Sequence, residues 1–165
     1  MLGCFEKGII PDISHASAQT ADDVLTLAEA IGNPVIATHS NSYSIYSHTR
    51  NLRDGHAKRL FALGGLVGIN LCEYHLRDCA NARATVDDVL RHVDHWLALG
   101  GERHIAIGGD LDGAPLPDGI RNVGDIAALA DAMATHGYSD TVIERIFSQN
   151  ALDFIKKTLG GMTVR

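Results

Sequence analysis

A chain of 165 residues with 45% apolar content is long enough for one globular domain with a real core. Its net charge of −6 comes from interspersed acidic and basic residues, so no Lys/Arg-rich stretch can track a phosphate backbone and nucleic-acid binding is excluded. No apolar run approaches the ~18 residues of a membrane span, and residues 1–10, which carry Glu6 and Lys7, lack a secretory layout, so the expected location is cytoplasmic.

In chain order, residues 8–13 (Gly-Ile-Ile-Pro-Asp-Ile) form a short strand-type run, in which Pro11 removes a ladder donor. Thr20-Ala-Asp-Asp23 is a capping pattern that opens an amphipathic helix closing at Gly32. Residues 34–38 read as the next strand, and a long polar loop follows as far as Asp54. A helix from about His56 to Leu63 stops at Gly64-Gly65, where a left-handed cap is easy. Residues 66–70 are a third strand. Thr85-Val-Asp-Asp88 then caps a helix that runs to Gly100-Gly101. Residues 104–108 are a fourth strand, and residues 123–134, 139–147 and 151–159 read as helix. Cys4, Cys72 and Cys79 form no CxxC pair and are odd in number, which argues for reduced structural thiols.

The result is one domain over residues 1–165 of alternating β and α elements with terminal helices. Strands that are continuous Val/Ile/Leu runs belong in a parallel α/β sheet buried on both faces. An open doubly wound sheet and a (β/α) barrel both fit. A full barrel has eight strands in about 250 residues, so four strands would be only part of one.

Each apolar run delivers a polar or ligand-type residue at its C-terminal end: Asp12-Ile-Ser14-His15, Thr38-His39-Ser40-Asn41, Asn70, and Gly108-Gly109-Asp110. That end is where active sites of barrels and open α/β sheets are built. Two histidines on neighbouring strand ends can converge on one Zn²⁺ or similar metal. Taken singly, either histidine could simply hydrogen-bond a loop carbonyl; the joint pattern with Asp110 favours a metal pair, His15 and His39. His92 and His95 are three apart on a helix, but no acidic residue completes a metal motif, so packing or solvation is their expected role. The same holds for His48, His56, His75, His104 and His136. The Asp110-Leu-Asp112-Gly113 stretch lacks the alternating oxygen ligands of a calcium loop. Ser14, Ser40 and Ser42 read as turn residues. Arg50 lies in the polar loop after His39, where a guanidinium can clamp a carboxylate through two parallel hydrogen bonds.

Several of these motifs together resemble one family. Asp12-Ile-Ser-His15, Pro34-Val-Ile-Ala-Thr-His39-Ser-Asn, Thr49-Arg50-Asn51-Leu52, Gly68-Ile-Asn70, His92-Val-Asp-His95, Ile107-Gly-Gly-Asp110-Leu-Asp112-Gly113 and Gln149-Asn-Ala-Leu152 are similar, in that order, to the membrane (renal) dipeptidase family of zinc peptidases. The resemblance runs from about Glu6 to the last helix. It implies a (β/α) barrel of the metal-dependent hydrolase type with a dinuclear zinc site that hydrolyses dipeptides. It further implies that His15 and His39 bind one of the zinc ions, that Arg50 holds the substrate's terminal carboxylate with Asn70 as a second substrate-binding residue, and that Asp110 is catalytic, taking part in proton handling beside the metals.

In that family a His-x-Asp pair, a bridging glutamate and a supporting histidine come from earlier strands, and residues 1–11 hold none of them. The chain therefore resembles the C-terminal four βα units of the enzyme, and two histidines fall short of the three or four ligands zinc usually takes. One expectation is a metallo-dipeptidase represented by part of its barrel, with a partial zinc site and little activity alone. The alternatives are an inactive barrel fragment, a binding module, or a half-barrel that forms a homodimer to bury its sheet edges.

Overall fold

The apolar runs lie side by side, parallel and in chain order, in a computed structural model that describes residues 2–159. The elements are α1 (Leu2–Glu6), α2 (Ala18–Ile31), β1 (Ile36–Ala37), α3 (Asp54–Ala62), β2 (Leu66–Asn70), α4 (Glu73–Leu76), α5 (Val86–Ala98), β3 (Ile105–Gly109), α6 (Ile126–His136), α7 (Asp140–Glu144) and α8 (Asn150–Leu159). A 3₁₀ turn at Val123–Asp125 leads into α6, and a π turn at Arg145–Gln149 joins α7 to α8.

The sheet order is β1-β2-β3, all parallel. The run expected as the first strand contributes a single parallel bridge, Asp12 to Ile36, on the outer side of β1. Pro11 explains its brevity. The proline can accept, and its carbonyl takes the Ile36 N–H at 3.0 Å, but it has no N–H to offer in return. Ile13 N–H restores the pairing one step later, to Ile36 O at 2.9 Å.

All five residues of β2 are buried, as a strand covered on both faces must be. The helices bury apolar stripes at helical spacing: Val89, Leu90, Val93 and Trp96 on α5, which lies against β2, and Ala21, Val24, Leu25 and Ala28 on α2, which lies against α3. Asn150, at the start of α8, donates through Nδ2 to the carbonyls of Glu102 and Ile105, both at 2.8 Å, and so pins the last helix under the entry to β3.

Two helix starts decide a detail of the sequence reading. Thr85 caps α5 as expected, its N–H donating to Asp88 Oδ2 at 3.0 Å. The cap of α2 is Ser17 and not Thr20. Ser17 Oγ accepts the Thr20 N–H at 3.1 Å, so the helix begins nearly a turn before the Thr-x-x-Asp pattern.

The register between β2 and β3 is regular from Val67–Ile105 to Ile69–Ile107 and then slips, pairing Asn70 with Gly109. Such a bulge re-aims the residues beyond it. Here those residues are Asn70 and Asp110. Gly68 and Gly108 flank the carbonyl of Thr38 so closely that a Cβ at either would lie 2.0 or 2.3 Å from its oxygen. Only glycine at both positions lets the three strand ends close together.

Candidate functional site

The C-terminal ends of the strands carry the predicted residues. His15 follows the Asp12 bridge, His39 follows β1, Asn70 ends β2, and Asp110 follows β3. His15 Nε2 and His39 Nε2 face each other at 2.8 Å, with the two rings edge-on and their centroids 4.9 Å apart. Two residues from segments 24 positions apart thus bring ring nitrogens to a common point, hydrogen-bonded to each other in the metal-free chain.

Backbone strain marks the same place. Among the described residues, the non-glycine residues with positive φ are His15 at 68° and Asp110 at 70°. The left-handed region costs an L-residue on the order of 1–3 kcal/mol, and such outliers cluster where function over-determines the geometry.

The imidazole of His15 is held below its ordinary pKa, by desolvation first and then by the positive fields of Arg50 and His39, against the attraction of Asp110 and Asp12. A neutral imidazole is the form that ligates metal. The same interactions show that the Arg50 guanidinium and the Asp110 carboxylate are both within electrostatic reach of His15. Arg50 Nε is buried without a hydrogen-bond partner, an unsatisfied charged donor at the edge of a cavity of about 280 Å³ lined in part by Ser17, Ser40, Tyr43 and Asn51.

Asn70 is almost fully enclosed, at 1% exposure. Its Nδ2 donates to Asp110 Oδ2 at 3.2 Å and more weakly to the His39 carbonyl at 3.4 Å, while its Oδ1 accepts the Cys72 N–H at 2.6 Å. Asn41 locks it from the other side through a pair of amide–backbone hydrogen bonds of 2.9 and 3.1 Å. Gly113 supports Asp110 from the front, since a Cβ there would meet Asp110 Oδ1 at 2.2 Å.

The polar loop between His39 and Asp54 is itself ordered by buried groups. Ser42 and Leu52 form a parallel bridge, and Asn51 Nδ2 donates to the carbonyls of Tyr46 and His75 at 2.9 and 2.8 Å. His92, fully buried on α5, accepts the Ser42 N–H through Nδ1 and donates through Nε2 to Leu76 O, each at 3.0 Å. His95 turns away to Asp54 Oδ1 at 2.9 Å, so the two α5 histidines do not converge.

The model of the membrane dipeptidase family, peptidase family M19, matches residues 5–159. The chain belongs to this family. Among its relatives, an uncharacterised dipeptidase of Schizosaccharomyces pombe is 33% identical over 155 residues, covering 92% of this chain and 36% of its own length. The crystal structure of dipeptidase AC, a metallo peptidase of M19, superposes with a TM-score of 0.89 at 33% identity over 97% of this chain and 47% of that one. A metallo peptidase from Rhodobacter sphaeroides, solved with a phosphinate mimic of the dipeptide L-Ala-D-Ala, gives a TM-score of 0.87 at 34% identity over 95% and 44%. This chain therefore spans between about a third and a half of the length of these proteins.

Within this M19 chain, some residues at the site were not singled out from sequence. The rings of His48 and His75 lie 4.8 Å apart and tilted at 39°, and His48 Nδ1 accepts the Arg50 backbone N–H at 3.2 Å. Burial first, then the fields of His48 and Arg50, push His75 down to about 4. Asp12 and Thr38 lie directly behind His39. Their signal was adjacency: each stands next to or three residues before a strand-end histidine.

Proposed function

We propose that this chain is the C-terminal part of a (β/α)-barrel metallo-dipeptidase, in which His15 and His39 hold one zinc of a dinuclear pair. The observation that carries the reading is the meeting of the two Nε2 atoms at 2.8 Å between strained, strand-end residues. Strictly sequential parallel neighbours support a barrel over a doubly wound sheet, whose strand order reverses at a switch point.

The donor set fits a zinc in kind and only partly in number. Imidazole nitrogen is a standard ligand, but among the described residues no group of three or more His, Cys, Asp or Glu converges on one point. The remaining ligands have to come from residues outside those described, as the chain's share of its relatives' length allows. When bound, the metals would supply water activation and carbonyl polarisation.

The chain's own residues divide the other tasks. Arg50 clamps the carboxylate of the dipeptide, a role suited to a half-buried guanidinium whose Nε has no partner in the protein. Asp110 moves the proton between water and leaving amine. Asn70, enclosed and with its amide bonded within the protein, acts on the substrate through Asp110, whose carboxylate it holds in place.

The test measures zinc content and dipeptide hydrolysis of this chain, alone and combined with the strands that precede it in the family. Alone it should be metal-poor and nearly inactive, and the combination should gain both. His15→Ala in the combined protein should lose zinc and activity together. Unchanged zinc in that variant would overturn the assignment.

A further inference from the structure

Behind His39, on the side away from His15, stands a chain of three hydrogen-bonding groups. Asp12 Oδ1 accepts the backbone N–H groups of Ser14 at 2.9 Å and of Thr38 at 3.1 Å. Asp12 Oδ2 lies 2.5 Å from Thr38 Oγ1, and Thr38 Oγ1 lies 2.8 Å from His39 Nδ1.

Proton counting fixes the direction of this chain. An ionised carboxylate only accepts, and a threonine hydroxyl has one hydrogen. The 2.5 Å contact between two oxygens therefore holds the Thr38 hydrogen, donated to Asp12. Thr38 Oγ1 is then left as an acceptor, so the 2.8 Å contact to His39 Nδ1 requires the proton to sit on Nδ1. The lone pair of His39 is consequently on Nε2, the atom that faces His15. His39 is further fixed through its own N–H, which donates to Ser14 Oγ at 3.0 Å. Thr38 cannot drift, because its carbonyl is wedged between Gly68 and Gly108.

We propose that Asp12 and Thr38 are positioning residues that hold His39 in its Nδ1–H tautomer, with Nε2 free to ligate the metal and aimed at the point shared with His15. The inference rests on the zinc reading for its purpose, though the tautomer itself does not depend on that reading. Hydrogen bonds of this kind to the far nitrogen of a metal-binding histidine fix its ring and its tautomer. A carboxylate acting through a hydroxyl reaches the same end as a carboxylate bonded directly.

Asp12→Asn gives the sharpest test. The two backbone N–H groups keep the Asn oxygen in the Oδ1 position, which turns the amide NH₂ toward Thr38. The amide then donates to Thr38 Oγ1, the hydroxyl hydrogen turns to His39 Nδ1, and the His39 proton moves to Nε2, where His15 Nε2 changes from donor to acceptor. Nitrogen-15 spectra of histidine-labelled, metal-free chain distinguish the two ring tautomers. Wild type should show Nδ1–H at His39, Asp12→Asn should show Nε2–H, Thr38→Val should show a mixture, and Thr38→Ser should restore the wild-type pattern. Wild-type Nε2–H at His39, or an Asp12→Asn spectrum still showing Nδ1–H, would overturn the proposal. Because the wild-type measurement needs no substitution, a variant that fails to fold leaves the proposal open to refutation. A failed zinc assay with the tautomer as described would instead count against the zinc reading alone.

Discussion

At the scale of single residues, the strand ends concentrate conformational cost where the candidate chemistry lies. His15 and Asp110 both hold left-handed backbone that an L-residue adopts reluctantly. The cost predicts a stability order that contact counting does not. Replacing His15 by alanine keeps the strain and loses the ring, whereas glycine relieves the strain. His15→Gly should therefore be more stable than His15→Ala by about 1 kcal/mol in urea unfolding, the reverse of their order at an ordinary loop position. Equal stabilities would mean that the loop relaxes and no strain is held there. The residue types at the strand ends were plain from sequence, because apolar runs stop abruptly at His, Asn and Asp. The strain was not, since nothing in Asp-Ile-Ser-His marks which of its residues turns left-handed. The direction of the Asp12–Thr38–His39 chain was equally hidden, because it depends on distances between two segments 26 residues apart.

At the scale of elements, the site loop is stable because a helix lends it a buried histidine. His92 on α5 is read by sequence as packing, and the structure gives that packing a polar content: it joins Ser42 of the loop to Leu76 of α4. Burial pushes its pKa down from 6.5 to about 4. A histidine whose folded pKa is depressed is protonated more readily in the unfolded chain. Stability from this group is thus complete above about pH 6.5 and is lost as pH falls toward 4, by about 3 kcal/mol at most. Urea midpoints measured across that window should fall with acidification, and His92→Gln should flatten the slope while lowering stability at neutral pH. A slope unaltered in His92→Gln would place the acid sensitivity elsewhere. Strand and helix order followed from hydrophobic periodicity, and β2 was read to the residue. The first strand shrank to one bridge because Pro11 has no N–H, and the cap of α2 moved to Ser17 because a serine outside the apolar pattern competes equally well for the helix N–H groups.

At the scale of the molecule, β3 pairs with β2 alone among the described strands, leaving its other edge without a strand partner. Leu152, Ile155 and Leu159 of α8 lie on the surface at 46%, 50% and 43% exposure. An open sheet edge and exposed apolar groups each invite association. Sedimentation of the isolated chain should show concentration-dependent self-association, reduced when the preceding strands of the family are supplied, and a monomer at all concentrations would contradict the half-barrel reading. Among the described residues no helix is long and apolar enough to cross a membrane. Family membership was legible in sequence because the motifs kept their order over nearly the whole chain. The most direct measurement is the zinc stoichiometry of the combined barrel, wild type against His15→Ala/His39→Ala and Asp110→Asn. The double histidine variant should lose one zinc per barrel while Asp110→Asn keeps its zinc and loses turnover; full zinc in the histidine variant would contradict the metal role of the pair.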